Sequence, residues 1–458
     1  MSIVPLIFTD EKNISLSIKN FISDFKIVAL LRKCGGNKVK GVPFLMLFTY
    51  VLTNAFRDGS FYMQQHMGNL SGSFSKNTYY RFMSNPKINW LRFTTLLSEC
   101  IIHNHLRPLT SEDRSDCFVI DDSLYERSGY RKTELVSKVF DHVSMSYRKG
   151  FRLMTLGWTD GCSFLPINFS LLSSSNSANT IGICNSFDKR SIAGKRRSMA
   201  RKKGTTVMLE LLKSALKSGH KAKYVLFDSW FSNPKQIIEI RNLGLNVIAM
   251  IKRTPKIKYV FNGQSCDIKN IYAESKKRRG RSKYLLSVNV KVVHNSKMID
   301  AKIVYVRNRN NAKKWIAILC TDMNISEEEI IRIYGKRWDI EVFFKTCKSN
   351  LLLSKEYHGL SYDGLTAHVA MVFTRYMLLS VARRDSEDDR TIGELFYIAV
   401  AELEDITYSY SMMLLVEAMM SAIQEYCQLS KAKIEELYQT ALKKLPESMM
   451  NLLQQAGQ

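Results

Sequence analysis

The stretch Cys117 to Ser123, "CFVIDDS", carries the reading of the fold. Before it the chain is patterned for helices, and from it onward short apolar runs alternate with polar or turn-forming residues, as strands do. The runs "VFDHVSMSY", "FRLMTLGWTDG" and "SFLPINFSLLS" follow as an antiparallel meander. After a polar and basic stretch come the helical run "TTVMLELLKSALKSG", the apolar strand "YVLFD", a helix from Pro234 and the strand "LNVIAMI". That order appends a βαβα unit to the meander. Two acidic positions end apolar strands, Asp121-Asp122 after "FVI" and Asp228 after "YVLF". A strand end is where a sheet presents side chains to a crevice.

On the N-terminal side, apolar residues at three and four spacing from Ile18 to Leu106 predict helices. Gly35 and Gly36 read as a helix stop. Ser75 reads as the N-cap of a short helix displaying Lys76, Asn77, Thr78 and Arg81, residue types that reach phosphates and base edges. On the C-terminal side, Pro255 to Met323 reads as an all-β insertion with the basic loop "SKKRRGRSK" between two strands. Ser326 starts a capped helix that runs through "IYGKRWDIEVFFKTCK", Ile333 to Lys348. Beyond Leu360 the pattern is helical, with Met412, Leu415, Val416, Met419, Ile423 and Tyr426 on one face. The expected divisions are 1–112, a helical region that binds DNA ends; 113–254 and 325–358, a split catalytic core; 255–324, the insertion; and 359–458, a helical tail.

Composition narrows the function. Lys+Arg 67 against Asp+Glu 42 leaves a net charge of +25 over 458 residues, a field that attracts polyanions. The nine cysteines are scattered without a C-x-x-C pair, which argues against a zinc ribbon or a disulfide framework. No basic region precedes the first apolar run, so a cytoplasmic protein is expected. The apolar segment "AHVAMVFTRYMLLSVARR" is interrupted by His368 and Arg375, short of the roughly 20 residues of a bilayer span; a buried helix and no membrane partner are expected. The histidines show no metal-ligand spacing, and no P-loop, nucleophile elbow or dinucleotide fingerprint follows a strand.

At about 100° per residue, Tyr334, Arg337, Glu341 and Lys348 fall at roughly 0°, 300°, 340° and 320°, one narrow helix face, with Asp339 about 140° away. Asp122, Asp228 and Glu341 can then converge from two strands and one helix. An oxygen-only acidic cluster suits Mg²⁺ or Mn²⁺, and two such ions serve in-line attack on a phosphodiester. The plainer alternatives are an Asp228 that starts a turn and a Glu341 paired with Lys345. Two basic runs flank the acids, Lys189 to Lys203, which includes Arg196 and Arg197, and Lys276 to Lys283, which includes Arg278 and Arg279. Both are expected at DNA phosphates.

These residues resemble the DDE transposases of the insertion-sequence-four family, whose signature Tyr-x2-Arg-x3-Glu-x6-Lys is matched at Tyr334, Arg337, Glu341 and Lys348. "VIDDS" and "VLFDSWFS" match its two strand-end aspartates, and the pattern of an Asp before Ser or Thr selects Asp122 over Asp121. The resemblance implies a mixed α/β architecture: an RNase H-like core with a mixed sheet and flanking helices, interrupted by the β insertion and bracketed by helical terminal regions. It implies catalytic and metal-binding roles for Asp122, Asp228 and Glu341 with two Mg²⁺ ions, replaceable by Mn²⁺, and phosphate contacts from Tyr334, Arg337 and Lys348. By the resemblance Trp315 corresponds to the tryptophan that receives a flipped base; the alternatives are a strand tryptophan buried in the core of the insertion and, less favoured, Trp230 two residues after Asp228 in that role. The implied activity is cut-and-paste transposition on double-stranded DNA, at element ends and target, by a homodimer. Two rivals are an RNase H-like nuclease or resolvase without strand transfer, and a catalytically silent transposase-derived DNA-binding protein.

Overall fold

The computed structural model describes residues 14–37, 40–56, 74–111, 114–127, 129, 131–141, 144–278, 282–308, 311–385 and scattered positions between 391 and 444. Among the described residues five α-helices come first: α1 (Ile14–Asp24), α2 (Ile27–Lys33), α3 (Phe44–Thr53), α4 (Lys76–Met83) and α5 (Trp90–Ile101). Their ends follow local chemistry. Gly35, just past α2, takes φ 87°, a conformation glycine adopts without steric cost. The Ser75 hydroxyl accepts from the Thr78 N–H and the Asn89 side chain from the Arg92 N–H, capping α4 and α5.

The core strands are β1 (Cys117–Glu126), β2 (Ser137–Asp141), β3 (Ser146–Thr159), β4 (Phe164–Leu172), β5 (Tyr224–Phe227) and β6 (Asn246–Met250). Between β4 and β5 lie α6 (Ile192–Ala200) and α7 (Gly204–Lys217), and α8 (Pro234–Asn242) joins β5 to β6. β1, β3 and β4 pair antiparallel, while β1, β5 and β6 run parallel. This is the RNase H-like mixed sheet implied by the sequence. β4 is buried at every position, covered by α5 and by α12 (Tyr362–Asp385), and its buried Asn168 donates to the Leu211 carbonyl at 3.2 Å.

The region after β6 departs from expectation in two ways. It holds β7 (Tyr259–Phe261), β8 (Gln264–Cys266), β9 (Leu286–His294), β10 (Lys297–Asn308) and β11 (Asn311–Cys320), but also α9 (Ile268–Glu274), capped by Asp267. It is therefore not all-β. Its last strand pairs antiparallel with β6, Ile318 opposite Met250, so core and insertion form one sheet in the order β2-β3-β1-β5-β6-β11-β10-β9-β7-β8, with β4 on β3.

The expected single helix through the signature is two, α10 (Glu327–Gly335) and α11 (Trp338–Ser349), broken at Lys336 and Arg337. The Lys336 ammonium donates to the carbonyls of Ser115 and Asp160 at 2.8 and 2.9 Å, tying the break to the start of β1 and the end of β3. Helix α12 is long and apolar enough to cross a bilayer, yet 94% of its apolar stretch is buried within the protein. Its Arg375 donates to the Val51 and Leu52 carbonyls and to Glu356, which satisfies a charge that a core otherwise excludes. Of the C-terminal stripe, Met412, Leu415 and Val416 lie outside the described residues, and Met419 and Tyr426 are exposed.

Candidate active site

The site stands where the parallel pairing of β1 with β5 stops; β1 itself does not end at its aspartates, as its pattern suggested, but runs on to Glu126 against β3. Their last paired positions are Val119 and Leu226, and Asp121 and Asp228 each lie two residues further on. Alternation keeps them on the face of Val119 and Leu226, side by side. Burial first, and the neighbouring Asp228 carboxylate after it, push the Asp121 carboxyl up to about 7. One Asp121 oxygen accepts from Arg337 Nη1 at 3.2 Å, the other from the Asp122 N–H at 2.8 Å. Arg337, in the break between α10 and α11, also donates through Nη2 to Glu341 one turn on. A single guanidinium thus bridges the strand acid and the helix acid.

Tyr334, at the end of α10, lies beside that guanidinium, whose carbon is 6.0 Å from the ring centroid. Burial pushes its phenol up to about 12, so it acts as a neutral hydroxyl. Lys348, two turns beyond Glu341, is half-buried; burial lowers its pKa against the pull of Asp141. Asp339 accepts from the Thr159 hydroxyl at 2.7 Å on β3, apart from the acids, as its helix angle predicted.

Asp122, the residue selected from the sequence, points to the opposite face. There it accepts from Arg152 Nε and Nη2 at 3.0 and 2.5 Å. Arg152 pairs with Leu124 across β1 and β3, two positions along, so the two side chains share that face. The motif spacing could not separate adjacent aspartates, because Phe118 and Ile120 on one face are as apolar and as buried as Cys117 and Val119 on the other; the pairing of β1 with β5 decides between them. Arg152 and Lys252, which line the neighbouring surface, carry no motif signal.

Three other expectations are corrected. Trp315 is 9% exposed, packed on Tyr272 and Tyr305 with ring centroids at 4.9 and 5.0 Å and covered by Arg253 at 3.9 Å. It is a core residue of the insertion and offers no face to a base. Arg196 and Arg197 are buried: Arg196 binds Asp363 and the Ile88 carbonyl, and Arg197 binds Glu134 at 2.7 and 2.8 Å and Asp363 at 2.8 Å. They join core to α12 and are not available to phosphates. Their neighbours Lys189, Arg190, Lys195, Arg201, Lys202 and Lys203 are exposed. Lys76, Arg81 and Arg278 are exposed as expected, and Arg279 lies outside the described residues.

Oxygen-only donors beside a carboxyl destabilised by its neighbour fit a hard divalent cation. Among the described residues no three His, Cys, Asp or Glu side chains stand close enough to hold one between them, and the Arg337 guanidinium supplies the positive charge between Asp121 and Glu341. Asp121 and Asp228 would hold such an ion, with Glu341 joining once Arg337 releases it.

No curated protein matches the chain. A family model described as DDE superfamily endonuclease matches residues 63–285, which contain Asp121, Asp122 and Asp228 and stop before Glu341. Over that span the chain is similar to nucleases and transposases of the DDE type, and the match names no narrower family.

Proposed function

We propose that the chain is a DNA transposase that binds the ends of its own element, cleaves them in a metal-dependent reaction and joins the freed 3′ ends to target DNA as a homodimer. The observation that carries this reading is Asp121 beside Asp228 and linked through Arg337 to Glu341, in a chain of net charge +25. The catalytic carboxylates in this reading are Asp121, Asp228 and Glu341.

Arg337 has two roles available. Paired with Asp121 and Glu341 it neutralises the acids; turned toward a phosphate it can grip two non-bridging oxygens with its planar fork. An incoming phosphodiester competes for that guanidinium and so frees the carboxylates as it binds. A divalent ion on those carboxylates would activate water or a 3′ hydroxyl and steady the leaving oxygen. Tyr334 holds the guanidinium from behind and donates to phosphate. Exposed cations at Lys189 to Lys203 and Lys276 to Arg278 offset the repulsion between acids and backbone.

A supercoiled plasmid carrying the reading frame and its flanks tests this, incubated with wild type, Asp121→Asn, Glu341→Gln or Asp339→Asn in Mg²⁺, Mn²⁺ or EDTA. Expected are metal-dependent nicks with 3′ hydroxyls at the flanks, lost with Asp121→Asn and Glu341→Gln and kept with Asp339→Asn. Joining of the cut ends to a second plasmid separates a transposase from a resolvase. Flank binding without any nick would leave a silent DNA-binding protein.

A further inference from the structure

The break between α10 and α11 is not dictated by its own residues. Gly335 loosens the helix just before it, but Lys336 and Arg337 are good helix formers, and both keep right-handed helical backbone angles. What changes is the hydrogen bonding. The N–H groups of Arg337, Asp339 and Ile340 reach back three residues, to the carbonyls of Tyr334, Lys336 and Arg337 at 3.0, 3.1 and 3.4 Å, the tighter 3₁₀ pattern. Contacts from other elements hold it there. The Lys336 ammonium donates to the Ser115 and Asp160 carbonyls at 2.8 and 2.9 Å, whereas a cation at a helix end ordinarily turns to the last carbonyls of its own helix. Three successive residues at the end of β3 receive the break: the Thr159 hydroxyl donates to Asp339 at 2.7 Å, Asp160 offers its carbonyl, and Gly161 leaves room, since a Cβ there would stand 2.9 Å from Lys336 Cε. That turn is itself fixed. The fully buried Asp160 carboxylate accepts from the Thr110 hydroxyl and from the Cys162 and Ser163 N–H groups at 2.7, 2.8 and 2.7 Å.

Lys336 and Arg337 are adjacent, yet they reach in opposite directions along β1. Lys336 takes hold at Ser115 and Arg337 at Asp121, points separated by roughly 20 Å of extended chain. The break is strung between two anchors, so where Lys336 is held decides where Arg337 lies. We propose that Lys336 is a positioning residue of the active site: clamped on the turn after β3, it places the Arg337 guanidinium between Asp121 and Glu341. The proposal rests on the reading of Asp121, Asp228 and Glu341 as the cleaving carboxylates and of Arg337 as their partner. Lys336 acts only through the break, from the far end of β1. Without the clamp the 3₁₀ segment relaxes toward a regular helix, and α11 turns against Tyr334 by about 20° for each residue that changes pattern. A displacement on the order of 1 Å at a group that must meet both acids and a phosphate costs about a hundredfold in rate.

The test uses the full chain and a duplex carrying the DNA that flanks its reading frame. Single-turnover nicking in Mg²⁺ is set beside duplex affinity in EDTA, and hydrogen exchange read by mass spectrometry is followed across residues 333–349 without DNA. Expected for Lys336→Met are a nicking rate lowered about a hundredfold, unchanged duplex affinity, and faster exchange confined to the break and the first turn of α11. Lys336→Gln keeps a polar end but cannot meet both carbonyls, and it gives the same result should Lys336→Met not fold. Trp315→Ala, a loss of core packing in the insertion, keeps the wild-type nicking rate in its folded fraction and wild-type exchange at the break, which separates positioning from lost stability. Nicking by Lys336→Met at the wild-type rate overturns the proposal, and so does a slowed rate without faster exchange at the break. If wild type leaves the duplex uncut, the cleavage reading falls; faster exchange confined to the break then still supports the clamp, and unchanged exchange overturns the clamp as well.

Discussion

Asp121 and Asp122 differ by one position and face two different surfaces. A strand turns successive side chains to opposite sides, so one acid meets Asp228 and Arg337 while the other meets Arg152. Asp121→Asn is therefore expected to abolish nicking, whereas Asp122→Asn leaves measurable metal-dependent nicking; the plasmid assay compares them directly. The same reasoning separates buried from exposed cations within one basic run. Arg197 faces Glu134 and Asp363, whose side chains are 1% and 3% exposed. Arg197→Ala should cost about 3–5 kcal/mol in urea unfolding, because it strands buried carboxylates. Lys195→Ala, on the exposed side of α6, should leave stability unchanged and lower the salt dependence of DNA binding by at most about 0.9 in log–log slope.

At the scale of elements, the break between α10 and α11 shows where helix arithmetic stops. Tyr334 and Glu341 share a face only on an uninterrupted helix; here they meet through Arg337 in the break. The contact between the turn after α7 and α5 carries a pH response. His220, buried just after α7, lies 3.0 Å from the Ser98 hydroxyl on α5, and burial lowers its pKa to about 4 against the hydrogen bond to the Ala215 carbonyl. The unfolded chain binds this proton near the ordinary value of about 6.5, so between those values the unfolded state carries more protons. The stability of the neutral contact is complete above about 6.5 and is lost as pH falls toward 4, at up to about 1.4 kcal/mol per unit. The urea midpoint should drop over that window, and His220→Gln should flatten the drop. Trp315 belongs to this scale too: Trp315→Ala should cost about 3–5 kcal/mol of stability in urea unfolding, through the cavity left beside Tyr272 and Tyr305.

For the whole molecule, the continuous sheet is the consequential feature. Because β11 covers the edge of β6, deletion of residues 255–324 should expose a row of unpaired backbone groups and yield aggregated protein, not a soluble core. Size-exclusion chromatography of the deletion variant checks this, with a monodisperse soluble product as the contrary result. The buried Arg196–Arg197–Glu134–Asp363 group works at this scale as well. It joins α6, the segment before β2 and α12, residues far apart in the chain, and through the Ile88 carbonyl it reaches the start of α5.

Local and near-neighbour physics was legible without coordinates. Helix patterning before Leu106, the Ser75 cap, the strand change at Cys117, the βαβ unit and the burial of the "AHVAMVFTRYMLLSVARR" segment all follow from period, capping and charge within a few turns of chain. Asp228 just past β5 and the signature pattern around Glu341 were legible for the same reason, each depending on residues close in sequence, whereas the continuation of β1 past Asp121 and Asp122 to Glu126 depends on its pairing with β3. Partners supplied by distant segments were not. Which of two adjacent aspartates meets Asp228 depends on the register of β1 against β5. Whether Arg197 faces water depends on Glu134 and Asp363. Whether an indole is surface or core depends on what packs against it, and Tyr272, Tyr305 and Arg253 enclose Trp315. The sequence alone therefore determined the elements and the inventory of chemistry, and the tertiary structure decided which groups face one another, because burial and pairing energies arise between residues that only the folded chain brings together.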